Sequence, residues 1–98
     1  MYQLEFREYF IKKYLKLINK NPILDLKIEK KLIALGKDPF EKSFRTHKVN
    51  AKNFGSSYSS RVTGDIRIIW QYNPDNNNEI QILELLDIGG HSGGNRVY

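Results

Sequence analysis

The sequence predicts an α+β domain: an N-terminal strand, a two-helix hairpin, then a small twisted antiparallel sheet. Three observations lead there. Tyr2–Phe6 alternates apolar and polar residues, the two-residue period of a strand. From Arg7 to Gly36 the period lengthens to that of a helix and is interrupted once, at Asn21-Pro22. Beyond residue 60 alternation returns in runs separated by turn residues. Strands joined by short turns pair antiparallel, and a helical hairpin covers one face of their sheet. With 98 residues the chain holds one domain, residues 1–98, around one modest core.

The elements follow in order. Phe10, Tyr14, Leu17 and Ile18 recur at helical spacing among Lys12, Lys13, Lys16 and Lys20, giving an amphipathic helix with a basic outer surface. Asn21 is a cap for the next helix, and Pro22 suits its first position, where no N–H is needed. Leu24, Ile28, Leu32 and Leu35 form that helix's apolar stripe, with Gly36 expected as a left-handed terminator and Pro39 beyond it. Residues 37–60 are polar and serine-rich and read as a loop with one short strand near residues 45–49. In residues 61–72, Ile66, Ile68, Trp70 and Tyr72 point to one face and Arg67 to the other, after a turn at Thr63-Gly64-Asp65. Residues 73–78 are a turn by composition. Residues 79–88 carry apolar groups on both faces, which predicts a central strand. A glycine-rich loop over residues 89–94 leads to Arg96-Val97-Tyr98. The helices cover one face of the sheet in this reading and leave the other open, with Arg61, Asp65, Arg67 and His91 on or near it.

Composition narrows the function. No cysteine is present, which excludes disulfide frameworks, thiolate catalysis and cysteine-rich zinc sites. No segment approaches the roughly 18–20 apolar residues of a membrane span, so the expectation is a cytoplasmic protein without a membrane partner. The net charge of +5 is uneven: residues 1–52 hold thirteen basic and six acidic groups, residues 53–98 three and five. A positive surface of this kind attracts polyanions, although a lysine-rich helix is also an ordinary solvated face.

His47 and His91 are the only histidines, at a spacing that matches no metal motif, so no metal or cofactor is expected. Either can give or take a proton near neutrality, or simply be exposed. Arg61 and Arg67 present planar donor forks matched to phosphate, or else form cross-strand ion pairs with Asp65, Glu79 or Glu84. Asp65 could orient a catalytic group or be plain turn chemistry. Tyr98 could stack on a base.

As an ordered set these features resemble the RelE/ParE superfamily of toxins from type II toxin–antitoxin systems, above all its RelE and YafQ branches. The likeness runs through Tyr2-Gln3-Leu4-Glu5-Phe6, Leu35-Gly36-Lys37-Asp38-Pro39, His47-Lys48-Val49, the stretch from Ser60 to Trp70, Asp87-Ile88-Gly89-Gly90-His91 and Val97-Tyr98. The resemblance implies a toxin that inhibits translation as a ribosome-dependent, metal-independent endoribonuclease, in which the 2′-hydroxyl attacks the adjacent phosphate of mRNA. It implies catalytic roles for His91, Arg67, Arg61, His47, Asp65 and Tyr98, and RNA-backbone contacts for Lys48, Lys52 and Arg96. The implied partners are a cognate antitoxin, the ribosome and mRNA, with no small-molecule cofactor. The alternatives are a ParE-like, non-enzymatic inhibitor of gyrase and a catalytically impaired relative. This chain departs from the family in the six residues between His91 and Tyr98, a longer and glycine-rich connection.

Overall fold

The computed structural model describes residues 2–73, 81–90 and 96–97. They form β1 (Tyr2–Phe6), α1 (Glu8–Ile18), α2 (Pro22–Lys37), a single 3-10 turn (Lys42–Phe44), β2 (His47–Ala51), β3 (Gly55–Arg61), β4 (Ile66–Tyr72) and β5 (Gln81–Gly90). The strands make one sheet in the order β1-β5-β4-β3-β2. β2 to β5 pair antiparallel as expected, whereas β1 pairs parallel with β5, so the sheet is mixed. The two-helix crossover after β1 explains the difference, because a parallel neighbour needs a long connection and a hairpin cannot supply one. β5 lies between β1 and β4, in agreement with its two apolar faces.

Both helices begin where the sequence places them. Asn21 Oδ1 accepts from the Leu24 amide at 3.1 Å, with Pro22 at the first helical position. α2 ends differently. Gly36 is helical, and the helix stops at Asp38, whose extended backbone is what a residue before proline favours. The two helices are tied by the Tyr14 hydroxyl, which donates to Asp25.

The larger core lies between the helices and one sheet face. Phe10, Ile28, Leu35 and Phe44 pack there against Ile66, Ile68, Trp70, Leu83, Leu85 and Ile88. The opposite face, expected to be open, carries a second small core of Ala51, Ile69, Leu86 and Val97. Two features build it. Residues 96–97 fold back, with Val97 N donating to Gly90 O and Lys52 N donating to Val97 O. A bulge in β5 places Ile69 opposite Asp87 and Trp70 opposite Leu85, which turns the consecutive Leu86 and Asp87 onto the same face.

The serine-rich stretch read as loop is β3. Its serines are ladder residues with buried side chains: Ser57, Ser59 and Ser60 are all inaccessible. Their low strand propensity is overridden by strand pairing and by bonds to the Ser57 and Ser60 hydroxyls. Thr46 Oγ1 has one proton and gives it to the Pro39 carbonyl, so Ser60 Oγ must donate to Thr46 and accept from Trp70 Nε1, at 2.6 and 2.8 Å. This relay joins the post-helical segment, β2, β3 and β4. Ser60→Ala strands the buried indole N–H, and urea unfolding should show a loss of about 2 kcal/mol, against no more than a few tenths for Ser56→Ala, at an exposed position near the start of the strand. Gly55 opens β3 at a φ of 67°, where a side chain would be strained.

Candidate functional site

β3 and β4 are joined by a tight turn that Thr63 holds together. Val62 N donates to Ile66 O, and Thr63 Oγ1 accepts from the Asp65 and Ile66 amides at 3.3 and 3.0 Å. The strands flanking this turn bring Arg61 and Arg67 directly opposite each other. Both side chains are half-buried on the face away from Trp70. Both reach the turn carbonyls: Arg61 Nε donates to Thr63 O at 3.3 Å, and Arg67 Nη1 donates to Thr63 O at 3.0 Å and Gly64 O at 3.2 Å. Arg67 is thus anchored at one corner of its guanidinium, which leaves Nε and Nη2 outside the anchoring bonds.

Like charges placed directly across an antiparallel pair repel. Of the three acids expected to pair with them, Glu79 lies outside the described residues, and Glu84 is buried and ion-paired to Arg7 beside β1. Asp65 is exposed in the turn itself.

His47 belongs to the same face. It pairs with Ser59, two residues from Arg61 along β3. Its Nδ1 lies 2.8 Å from the Arg45 carbonyl, which can only accept, so Nδ1 carries the proton and Nε2 is the nitrogen able to exchange one. Arg45 closes the 3-10 turn with a φ of 47° and shares a groove with Arg61 and Lys31. β5 brings the last strand to the same end: Gly89 is the partner of Arg67 and Gly90 of Ile66. His91 and Tyr98 lie outside the described residues.

The other expected contacts divide. Lys48 pairs with Tyr58 and so faces the Trp70 side of the sheet, where it lines a groove with Tyr58 and Tyr72. Lys52 and Arg96 are brought together by the fold-back of residues 96–97, at a cavity of about 470 Å³ between α1 and β5. Lys13 and Lys16 line it too. Lys13 Nζ is 2.8 Å from Asp87 Oδ1, an acid whose side chain is only 1% exposed. Asp87 was not singled out from the sequence, although an acid within Leu85-Leu86-Asp87-Ile88 is a visible anomaly. Among the described residues no group of His, Asp or Glu could hold a metal ion.

Comparison with solved structures fits this geometry. A YoeB/ParE toxin from Agrobacterium tumefaciens superposes with a TM-score of 0.67 at 16% identity, over 92% of this chain and 99% of that one. This is the RelE/ParE toxin fold. The toxin–antitoxin complex RelBE2 from Mycobacterium tuberculosis matches with a TM-score of 0.60 at 17% identity, over 89% of this chain and 94% of that one. YafQ from E. coli matches at 0.58 and 17%, over 92% and 93%. The sequence itself matches no family model and no curated protein. At 16–17% identity the likeness to these structures is one of fold. No described helix is long and apolar enough to cross a membrane.

Proposed function

We propose that the chain is the toxin of a type II toxin–antitoxin system and that it cleaves mRNA on the ribosome by attack of a 2′-hydroxyl on the adjacent phosphate. The observation that carries this reading is the pair Arg61 and Arg67, held opposite each other on one sheet face with His47 beside them. Two guanidiniums kept together against their own repulsion suit a phosphodiester, whose charge grows in the transition state. In this reading Arg67 and Arg61 bind the non-bridging oxygens. His47 and His91 exchange the protons that leave the 2′-hydroxyl and reach the 5′-oxygen. Tyr98 orients the nucleotide, and Asp65 steadies the turn beneath the phosphate. No step requires a metal.

A protein partner is supported separately. Ile11 and Leu15 of α1 and Ile23, Leu26 and Ile33 of α2 are exposed, Ile23 by 72%. Lys12, Lys27 and Lys30 lie among them. Exposed apolar residues edged by lysines suit an amphipathic acidic helix, as a cognate antitoxin would offer. The RelBE2 structure is itself a toxin–antitoxin complex.

The test is a cell-free translation reaction with purified protein, followed by mapping of mRNA 5′ ends. Cuts confined to the ribosomal A site are expected. Intact mRNA together with inhibited gyrase supercoiling would replace this reading with the ParE-like one.

A further inference from the structure

The cavity between α1 and β5 is lined by Tyr9, Lys13, Lys16, Lys52, Asn53 and Arg96. Four of these are cations, drawn from three separate parts of the chain. Among the described residues the acid that meets them, Asp87, is buried in the sheet and bound to Lys13. The cavity wall is built rather than incidental. Lys13 is fixed by Asp87 and by the Tyr9 ring, 5.7 Å from its ammonium. The Tyr9 hydroxyl accepts from Asn53 Nδ2 at 2.9 Å and packs its ring edge-on to Phe54, so its own proton is left to donate. Asp87 Oδ1 is held in turn by the Ile88 amide at 2.8 Å.

We propose that this cavity is a phosphate subsite, taking the phosphate next to the one bound at Arg61 and Arg67. A phosphate carries more oxygens and more negative charge than a carboxylate, which suits the several ammonium, guanidinium and hydroxyl donors that converge here. Continuity with the candidate site comes from β5, because Gly89 lines the cavity and is the cross-strand partner of Arg67. Asp87 is the positioning residue: it orders the Lys13 ammonium before any ligand arrives. The inference rests on the RNA-cleaving reading only for whose phosphate is bound.

The experiment uses two probes on the full chain: a fluorescent single-stranded RNA oligomer, and inorganic pyrophosphate followed by amide NMR shifts. Lys16→Ala/Lys52→Ala removes two exposed cations from the cavity. Lys27→Ala/Lys30→Ala removes two from α2 and serves as the equal-charge control. The cavity pair should weaken RNA binding about tenfold and flatten its salt dependence by about 1.4 in log–log slope, while the control changes affinity less than about threefold. In the wild type, pyrophosphate should move the Asn53 and Gly89 amides, and the cavity pair should abolish that shift. Equal losses from both pairs mean diffuse charge and overturn the subsite, as does pyrophosphate binding that leaves those amides unmoved. If the wild type ignores RNA but pyrophosphate moves the amides, the RNA reading fails and the subsite stands.

Discussion

Arg67→Ala should slow cleavage of ribosome-bound mRNA by about 10²–10³-fold, the loss seen when one preorganised donor to developing charge is removed. The arginine has a second task, because its Nη1 also bonds the turn carbonyls of Thr63 and Gly64. Those bonds are partly solvent-exposed and should be worth about 1 kcal/mol of stability together, so the folded population survives the change. Melting temperature measured beside activity separates the two roles. Arg67→Lys keeps the charge but cannot grip the turn and a phosphate at once, and it should recover only a small part of the rate. Cleavage at the wild-type rate by Arg67→Ala would remove the Arg61–Arg67 face as the site. Growth arrest that persists while cleavage is lost would leave the fold with a non-nucleolytic target.

Lys13→Met should destabilise the domain by about 3 kcal/mol, a large share of the roughly 5–15 kcal/mol that holds a small domain folded. It leaves the Asp87 carboxylate buried with the Ile88 amide as its remaining donor. The value sits at the low end for a broken buried pair because Lys13 is 22% exposed and solvent already screens one side. The reverse change should be milder. Asp87→Asn keeps an acceptor for Ile88 N, and Lys13 can turn to water, so about 1 kcal/mol is expected. Lys13→Met/Asp87→Leu replaces the pair with apolar contacts and should recover most of the loss. Urea unfolding of the three variants checks the order. A Lys13→Met protein within about 0.5 kcal/mol of wild type would show that the pair is not sealed from solvent.

The order of elements could be read from the chain because period is a local property. The alternation of Tyr2–Phe6, the helical spacing of Phe10, Tyr14 and Leu17, and the Asn21-Pro22 start each depend on neighbours a few residues away. The face of Arg67 was readable for the same reason, since strand side chains alternate whatever the sheet order, whereas its pairing with Arg61 is set by the turn at residues 63–65. β3 was not readable. Serine has weak strand propensity, and what holds residues 56–60 extended is partners in β2 and β4 together with the Trp70–Ser60–Thr46 relay, all distant in sequence. Gly36 misled for a related reason: glycine permits a left-handed turn without requiring one, and here the turn of chain waits for Asp38-Pro39.

By itself, then, the sequence determined the two helices and the strands other than β3, the amphipathic faces and the uneven charge. Each follows from residue type and spacing. Only the tertiary structure decided that β1 runs parallel to β5, that the far face of the sheet carries a second core, and that Lys13, Lys16, Lys52 and Arg96 surround one cavity. Those arrangements depend on a bulge at Leu86, a fold-back at Val97 and one buried carboxylate at Asp87. Their energies come from burying groups against partners far along the chain, which no local pattern encodes.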